Sequence, residues 1–376
     1  MSVSILDFVT TGAGPEPRRG RKAGGAPRVS RRASRGASRG AEPALVAAAL
    51  EGLTTTTSEC AEGTGRGSGA PCSSKKILEK VVAFAETLPP AAAAPPAAAP
   101  PAAAPPALLP SDATPEAAAV RAAAAALQCS SESCVISHPS LASFIVETGG
   151  AAGELKRELA VSFKAPGPRD SLALLSNYNI DETLQRWGRV FPEFFPCPFA
   201  MMDFDTNGDL FGSADFPAIL EGRAPVNLGA EVGAVRRPCS CFGCVVNTDV
   251  STGEGKHWVA VFVDCRPPPG EPWSVEYFNS TGRPPPAAMT RWMERTRSAL
   301  TEYRMTLPGA RTAVCDVTAE AVSDMDHQES QTECGLYAMF FIRRRLEGTP
   351  ASFFESQLIP DEAMTAFRSH VFRAQR

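Results

Sequence analysis

The sequence has no secretory signal, no long run of strongly apolar residues and only four histidines among 376 residues. Its eleven cysteines are an odd number, and in a chain without a secretory signal they argue against a disulfide framework and for a reducing intracellular compartment. The formal net charge of −4 excludes nucleic-acid binding driven by the bulk charge of the whole chain. We therefore expect an intracellular protein whose free thiols stay available for chemistry.

A segment without charge, residues 88–110, has the length of a membrane span but not its composition. Repeated Pro-Pro pairs exclude an ordinary helix, and alanine is too weakly apolar to drive insertion into a bilayer. The composition predicts a semi-rigid polyproline II spacer and no membrane span.

Composition divides the chain into three parts. Residues 1–75 predict a disordered basic arm, residues 76–127 predict short helices with an Ala/Pro-rich linker, and residues 128–376 have the mixed composition of a globular domain. Within the arm, residues 18–39 carry only basic charges, which suits contact with nucleic acid or an anionic surface. The alternative is a solvated tail without a partner.

A polar run stops at Cys334, and the apolar stretch Leu336 to Ile342 follows at once. This stretch predicts a buried helix, which ends near Arg343 to Arg345 and Gly348 because cations and then glycine favour a helix C-terminus. Cys334 would lie in the first turn, where backbone amides and the helix dipole stabilise a thiolate. The alternative is a cysteine that serves as a small core residue.

Two predicted strands bring a histidine and an asparagine together. Residues 255–265 and 273–282 have β-branched and aromatic character, and the proline-rich segment between them is a loop, so they predict an antiparallel pair. His257 begins the first strand and Asn279 ends the second, so these two side chains should meet.

The chemistry of a cysteine nucleophile requires these neighbours. His257 can accept the proton of Cys334 as general base, and Asn279 can orient the imidazole. The Gln328 amide can join the backbone N–H of Cys334 in an oxyanion hole, although Gln331 competes for that role.

At these residues the sequence resembles the adenovirus-protease and SUMO-protease clan of cysteine peptidases, in which histidine, Asp or Asn, glutamine and cysteine follow in that order. The matching residues are His257-Trp258, the segment 277–280 (YFNS), Gln328 and Cys334-Gly335. A closer resemblance, over about residues 128–376, is to the polyprotein-processing branch of large DNA viruses, of the African swine fever virus type. The segments that carry it are residues 163–187, 203–210, 245–249 and 361–373.

The resemblance implies a role for each matching residue. Cys334 would be the nucleophile, His257 the base, Asn279 the orienting residue and Gln328 the oxyanion donor, with Trp258 packed against the histidine as a wall of a narrow substrate channel. Many clan members have Asp where this chain has Asn279, so the thiolate would depend more on the helix dipole. We expect no cofactor and no catalytic metal.

The resemblance also implies the fold class and the activity. We expect an α+β, papain-like core with a mixed β-sheet flanked by helices and with the nucleophile at the N-terminus of a buried helix. The expected activity is that of a thiol endopeptidase cutting after Gly-Gly or Gly-Ala, which processes viral structural polyproteins in the host cytoplasm or virion. The alternatives are a protease that removes SUMO or ubiquitin-like modifiers, and a non-catalytic scaffold or nucleic-acid-binding virion protein.

Other cysteines allow weaker hypotheses. Cys239, Cys241 and Cys244 could supply three thiolates to zinc, but no fourth ligand is evident, and free thiols in a loop are the favoured interpretation. Cys129 and Cys134 also lack a second ligand pair.

Overall fold

The computed structural model describes residues 43–51, 53, 59–62, 69–89, 109–151, 153–168, 173–308 and 316–373. All of them fall within one unit, Ala41–Arg376. The basic segment 18–39 and most of the Ala/Pro spacer lie outside the described residues. In the described ranges, no helix combines the length and apolar character needed to cross a membrane.

The helices of the described residues are α1 (Pro43–Leu50), α2 (Lys75–Thr87), α3 (Pro115–Leu127), α4 (Glu132–Ser137), α5 (Pro139–Glu147), α6 (Glu154–Ser162), α7 (Asn177–Val190), α8 (Phe204–Asn207), α9 (Phe216–Leu220), α10 (Ala287–Thr306), α11 (Cys334–Leu346), α12 (Phe353–Ser356) and α13 (Asp361–Val371). The strands are β1 (Ala165–Pro166), β2 (Phe194–Pro196), β3 (Ala200–Met201), β4 (Pro225–Asn227), β5 (Ala234–Arg236), β6 (Cys241–Asn247), β7 (Trp258–Asp264), β8 (Trp273–Phe278), β9 (Val317–Val322) and β10 (Phe372–Arg373).

A six-stranded mixed sheet forms the centre of the fold, in the order β2-β6-β7-β8-β9 with β3 also paired to β6. The β6-β7 and β7-β8 pairs are antiparallel, whereas β2 and β3 pair with β6, and β9 with β8, in parallel. The predicted antiparallel pair of strands is therefore confirmed. So is the α+β class with a mixed sheet flanked by helices.

Both faces of the sheet are covered, which explains why β6 and β7 are buried at every position. Alternate residues of β7 point to opposite faces: Trp258, Ala260 and Phe262 join a core with α7, α11 and α13. Val259 and Val261 join a second core with α9 and α10. The predicted buried helix is α11, and all of its residues are buried.

The N-terminal helices form a layer with a core of its own. Helices α2 to α5 and Leu155 of α6 contribute its buried apolar residues. The short helices predicted within residues 76–127 are present as α2 and α3, and the Thr114 hydroxyl before α3 accepts the backbone N–H of Ala117 at 3.2 Å. The domain boundary predicted at residue 128 falls between α3 and α4, inside this shared core. Helix α1, within the predicted arm, packs through Ala49 into the core that also holds α13.

The expectation that the cysteines form no disulfides is wrong for four of them. Cys60 is bonded to Cys72 and Cys129 to Cys134. Both bonds lie in the helical layer, and each joins cysteines close in sequence. Composition does not show which cysteines lie close enough to pair. Six other cysteines of the described residues, Cys334 among them, are free.

His327 is a buried, neutral histidine between the sheet and α11. It is 3% exposed, packs between the rings of Phe278 and Tyr337, and accepts the backbone N–H of Ile359 at 3.2 Å. Burial lowers its pKa to about 4, although a hydrogen bond at the Phe354 backbone opposes this shift.

The free energy of unfolding should fall as the pH drops from about 6.5 towards 4, because the unfolded chain then binds a proton at His327 that the folded chain refuses. The gap between the ordinary pKa of 6.5 and about 4 corresponds to a loss of about 3 kcal/mol. Urea titrations between pH 4 and 8 measure this slope. His327→Gln should flatten it, whereas His138→Gln in the helical layer should not. An unchanged slope in His327→Gln would contradict the assignment.

Candidate active site

His257 and Asn279 meet at the ends of β7 and β8, as the sequence predicts. Because β7 and β8 are antiparallel, with Ala260 opposite Phe278, the residue before β7 lies beside the residue after β8. The His257 Nε2 to Asn279 Oδ1 distance is 2.9 Å. This is the first contact of the candidate site.

The Asn279 amide is fixed in one orientation by its neighbours. Its Nδ2 donates to the Tyr277 hydroxyl at 3.1 Å, and its Oδ1 also accepts the backbone N–H and the hydroxyl of Thr281 at 3.1 and 2.9 Å. Because the amide oxygen faces the imidazole, Nε2 of a neutral His257 carries the proton. The Nδ1 lone pair is then available to accept one.

His257 is neutral at pH 7. Burial lowers the pKa of this imidazole, the hydrogen bond to Asn279 opposes the shift, and nearby Arg283 lowers the pKa further. A neutral imidazole is the form that acts as a general base.

Cys334 is the first residue of α11 and is 4% exposed. The backbone N–H groups of Trp258 and Gly335 act on its thiol and lower the pKa, but burial is the larger effect and the net pKa is raised. The expected stabilisation of a thiolate at the helix N-terminus is therefore present, but it does not set the net pKa of the thiol in the empty site. Desolvation outweighs the amides and the helix dipole.

Cys334, His257 and Trp258 line one cleft of about 760 Å³. Its other walls include residues 174–177, Phe199 and residues 253–256. The Phe199 ring packs edge-on against Trp258, with centroids 6.1 Å apart. The structure thus brings thiol, imidazole and the predicted aromatic wall to the same opening.

Gly335, the residue after the nucleophile, has no side chain, and this lets two residues of the cleft approach α11 closely. A methyl group at Gly335 would lie 3.2 Å from the Leu175 Cβ and 3.3 Å from the Trp258 Cδ1. These separations are tighter than ordinary van der Waals contact. Leu175 and Trp258 therefore close on the start of α11 from two sides.

Gln328 is anchored, whereas Gln331 is exposed. The Gln328 Oε1 accepts the Ser280 hydroxyl at 2.8 Å, and its Nε2 donates to the Ser330 carbonyl at 2.8 Å, which leaves the second N–H of the amide for another acceptor. Gln328 is not among the described residues that line the cleft. The choice of Gln328 over Gln331 as the oxyanion donor therefore stays a prediction.

Ser280 is a site residue that sequence reasoning missed. Its carbonyl accepts the backbone N–H groups of His327 and Gln328 at 2.8 and 3.1 Å, in addition to the side-chain bond to Gln328. The turn after Asn279 therefore holds the segment that leads to Cys334. The sequence signal that could have identified Ser280 is its position directly after Asn279.

A metal site at Cys239, Cys241 and Cys244 does not fit the strand geometry. Cys241 and Cys244 lie in β6, not in a loop as expected, and they join the cores on opposite faces of the sheet. One ion cannot reach both thiols. Within the described ranges, no group of three or more acidic, histidine or cysteine side chains is arranged to hold a metal.

Comparison with protein families and solved structures shows which family the chain resembles. Residues 245–375 match the family described as "Ulp1 protease family, C-terminal catalytic domain", a span that includes His257, Asn279, Gln328 and Cys334. A cysteine protease of African swine fever virus, isolate Tick/Malawi/Lil 20-1/1983, is 41% identical over 325 residues, covering 86% of this chain and 98% of that protein.

A second African swine fever virus relative, from isolate Pig/Kenya/KEN-50/1950, is named a SUMO-1 cysteine protease, with 41% identity over 325 residues, 86% of this chain and 98% of that protein. The crystal structure of the African swine fever virus protease matches with a TM-score of 0.67 at 39% identity, covering 87% of this chain and 99% of that chain.

These matches extend the resemblance beyond the expected range. An alignment that covers 86% of the chain is longer than residues 128–376, so it continues into the N-terminal helical layer. The expectation that the resemblance begins near residue 128 is therefore wrong. Composition separates the alanine-rich helices from the rest of the fold, but packing joins them to it.

Gln328→Ala should lower kcat about 10²- to 10³-fold with little change in KM, because an oxyanion donor acts mainly in the transition state. Gln331→Ala is the matched control and should keep nearly full activity. Steady-state kinetics with a peptide substrate measures both. The reverse result would move the oxyanion role to Gln331.

Proposed function

The chain belongs to the Ulp1-type cysteine proteases, in the branch of the African swine fever virus protease, and from this we propose that it matures structural polyproteins of a large DNA virus by cutting after Gly-Gly or Gly-Ala. Membership of this family makes the chain a cysteine endopeptidase. The proposal adds the substrate, the specificity, the site residues and a place of action in the host cytoplasm or virion.

One observation carries the assignment of the site. His257 is held by Asn279 at 2.9 Å with its basic nitrogen free, and it shares a cleft with a thiol at the first turn of a buried helix. Nucleophile, base and orienting residue are thus on three elements fixed by one sheet and one helix.

The first half of the proposed reaction begins with a neutral thiol and a neutral imidazole. As the Cys334 sulfur attacks the scissile carbonyl carbon, its proton passes to His257 Nδ1. The carbonyl oxygen becomes an oxyanion, which the Cys334 backbone N–H and the Gln328 amide stabilise. When the C–N bond breaks, His257 returns the proton to the leaving amine, and a thioester remains on Cys334.

The second half releases the new carboxyl end. A water molecule gives a proton to His257 Nδ1 and attacks the thioester carbon. The C–S bond then breaks, and the proton returns to the Cys334 sulfur. Asn279 contributes no charge to either step. It keeps Nδ1 in position, which is why its loss should be milder than loss of the base.

The walls of the cleft support glycine before the scissile bond. Leu175 and Trp258 approach the start of α11 closely, and the Phe199 ring packs edge-on against Trp258 in the same cleft. A side chain larger than a methyl group would have to displace these packed residues.

Cys334→Ala should abolish turnover and His257→Ala should nearly do so, because nucleophile and base act as one unit. Asn279→Ala should reduce kcat less than either. Cys265→Ala, which removes another buried thiol, is the matched control and should stay active. Peptide hydrolysis with each folded variant measures these effects, and turnover by Cys334→Ala would refute the thiol mechanism.

Peptides that differ only in the residue before the cut should separate by size. Replacing Gly or Ala there by Val or Leu should lower kcat/KM about 10- to 100-fold, because a clash in a packed channel costs about 1 to 3 kcal/mol. A preference for the bulky residues would overturn the channel argument.

The same assay should include a SUMO reporter, because one relative is named a SUMO-1 cysteine protease. The peptide in this comparison should carry Gly-Gly before the cut. The comparison with the reporter then separates recognition of a peptide from recognition of a folded modifier. Cleavage of the reporter with a kcat/KM far above that of the peptides would favour deconjugation over polyprotein processing.

A further inference from the structure

Helix α13 contacts the segment that leads to Cys334. Its sequence lies within residues 361–373, one of the segments that carry the family resemblance. Arg368 on this helix is 7% exposed. Its Nη2 lies 3.2 Å from the Glu333 Oε2, and its Nη1 donates to the Ala173 carbonyl at 3.1 Å. One buried guanidinium therefore joins two segments on either side of the cleft.

Glu333 is the residue directly before Cys334 and is 3% exposed. A carboxylate there opposes ionisation of the neighbouring thiol, and Glu333 raises the Cys334 pKa together with burial. A buried charge needs a partner. Arg368 is that partner, with side-chain exposures of 8% for Arg368 and 4% for Glu333.

Other charged groups near this pair have separate contacts. His257 on β7 is paired with Asn279. Asp361, at the start of α13, accepts the Ser330 backbone N–H at 2.7 Å and the Tyr337 hydroxyl at 3.0 Å, and Glu362 follows it. Asp361 and Arg368 of α13 thus contact the segment around the nucleophile, whereas Glu362 is exposed. Of the contacts in the described residues, only that of Arg368 reaches the Glu333 carboxylate with opposite charge.

The second contact of Arg368 reaches the wall of the cleft. Ala173 immediately precedes Leu174 and Leu175, which line the cleft, and Leu175 is the side chain that closes on Gly335. The guanidinium therefore fixes the distance between this wall and the first turn of α11.

We propose that Arg368 is a positioning residue of the protease: it neutralises Glu333 beside the nucleophile and holds the 173–175 wall against α11. The inference rests on Cys334 as the nucleophile. Arg368 is not among the described residues that line the cleft, so we assign its effect to these two contacts. Loss of the positive charge of Arg368 should change the ionisation of the Cys334 thiol. Loss of the planar guanidinium, which bonds Glu333 and Ala173 at once, should change substrate binding.

The test is the pH dependence of Cys334 alkylation by iodoacetamide, followed by mass spectrometry of the Cys334 peptide, together with kcat and KM on a peptide substrate. Arg368→Met should slow alkylation at pH 7 about tenfold and move its midpoint up by about one pH unit. The double variant Glu333→Gln/Arg368→Met should return the midpoint towards wild type, because both charges are gone.

Arg368→Lys separates the two roles. A lysine keeps the charge beside Glu333 but cannot donate to both segments in one planar fork, so the midpoint should stay near wild type while KM rises. Arg304→Met is the matched control, since Arg304 is also buried and bonded to carbonyls but lies in α10 on the other face of the sheet. It should leave both readouts unchanged.

An unchanged midpoint in Arg368→Met, or a double variant as slow as Arg368→Met, would overturn the inference. If Arg368→Met does not fold, Glu333→Gln alone decides: alkylation should become faster at low pH, and an unchanged midpoint would refute the charge effect. Alkylation reports on the thiol whether or not it is the nucleophile. Failure of the proposed function, seen as turnover by Cys334→Ala, is therefore a distinct result.

Discussion

The hydrogen bond between His257 and Asn279 organises the site, and it exists because β7 and β8 pair in antiparallel register. The turn that follows β8 makes the other contacts that hold the site together. Asn279 orients the imidazole, and Ser280 holds the backbone of residues 327–328. The same turn thus contacts His257 and Gln328, the proposed base and oxyanion donor, at the start of the segment that ends at Cys334.

Burial sets the protonation of the resting site. It lowers the pKa of His257 and raises that of Cys334, so both shifts favour the uncharged pair. An asparagine suits this arrangement, because an aspartate would stabilise the imidazolium and bring a further charge into a desolvated region. In the proposed mechanism the amide provides orientation without charge, and proton transfer accompanies attack.

The sequence predicted the parts of the fold that depend on local pattern. Apolar runs predicted β7, β8 and α11, and the ends of those elements placed His257 and Asn279 in contact. Local pattern says nothing about how distant elements share a core. It therefore did not show that α2 and α3 pack with α4 and α5, or that Arg368 reaches Glu333.

The pKa of Cys334 could not be predicted from sequence for the same reason. Helix dipole and first-turn amides can be inferred from the position of a cysteine, but the depth of burial depends on Trp258, Leu175 and the rest of the cleft. Burial has the larger effect here. The disulfides of the helical layer likewise depend on which cysteines the packing brings close together, and composition does not encode this.

The raised pKa of a 4% exposed thiol has a consequence for how the enzyme tolerates its surroundings. Oxidation by peroxide and reaction with small electrophiles both require the thiolate and access to it. The empty enzyme should therefore resist both and expose its reactivity mainly when a peptide fills the cleft. A covalent inhibitor with a weakly reactive electrophile would gain its potency from occupying the narrow channel. Its bond to the Cys334 sulfur would form after binding.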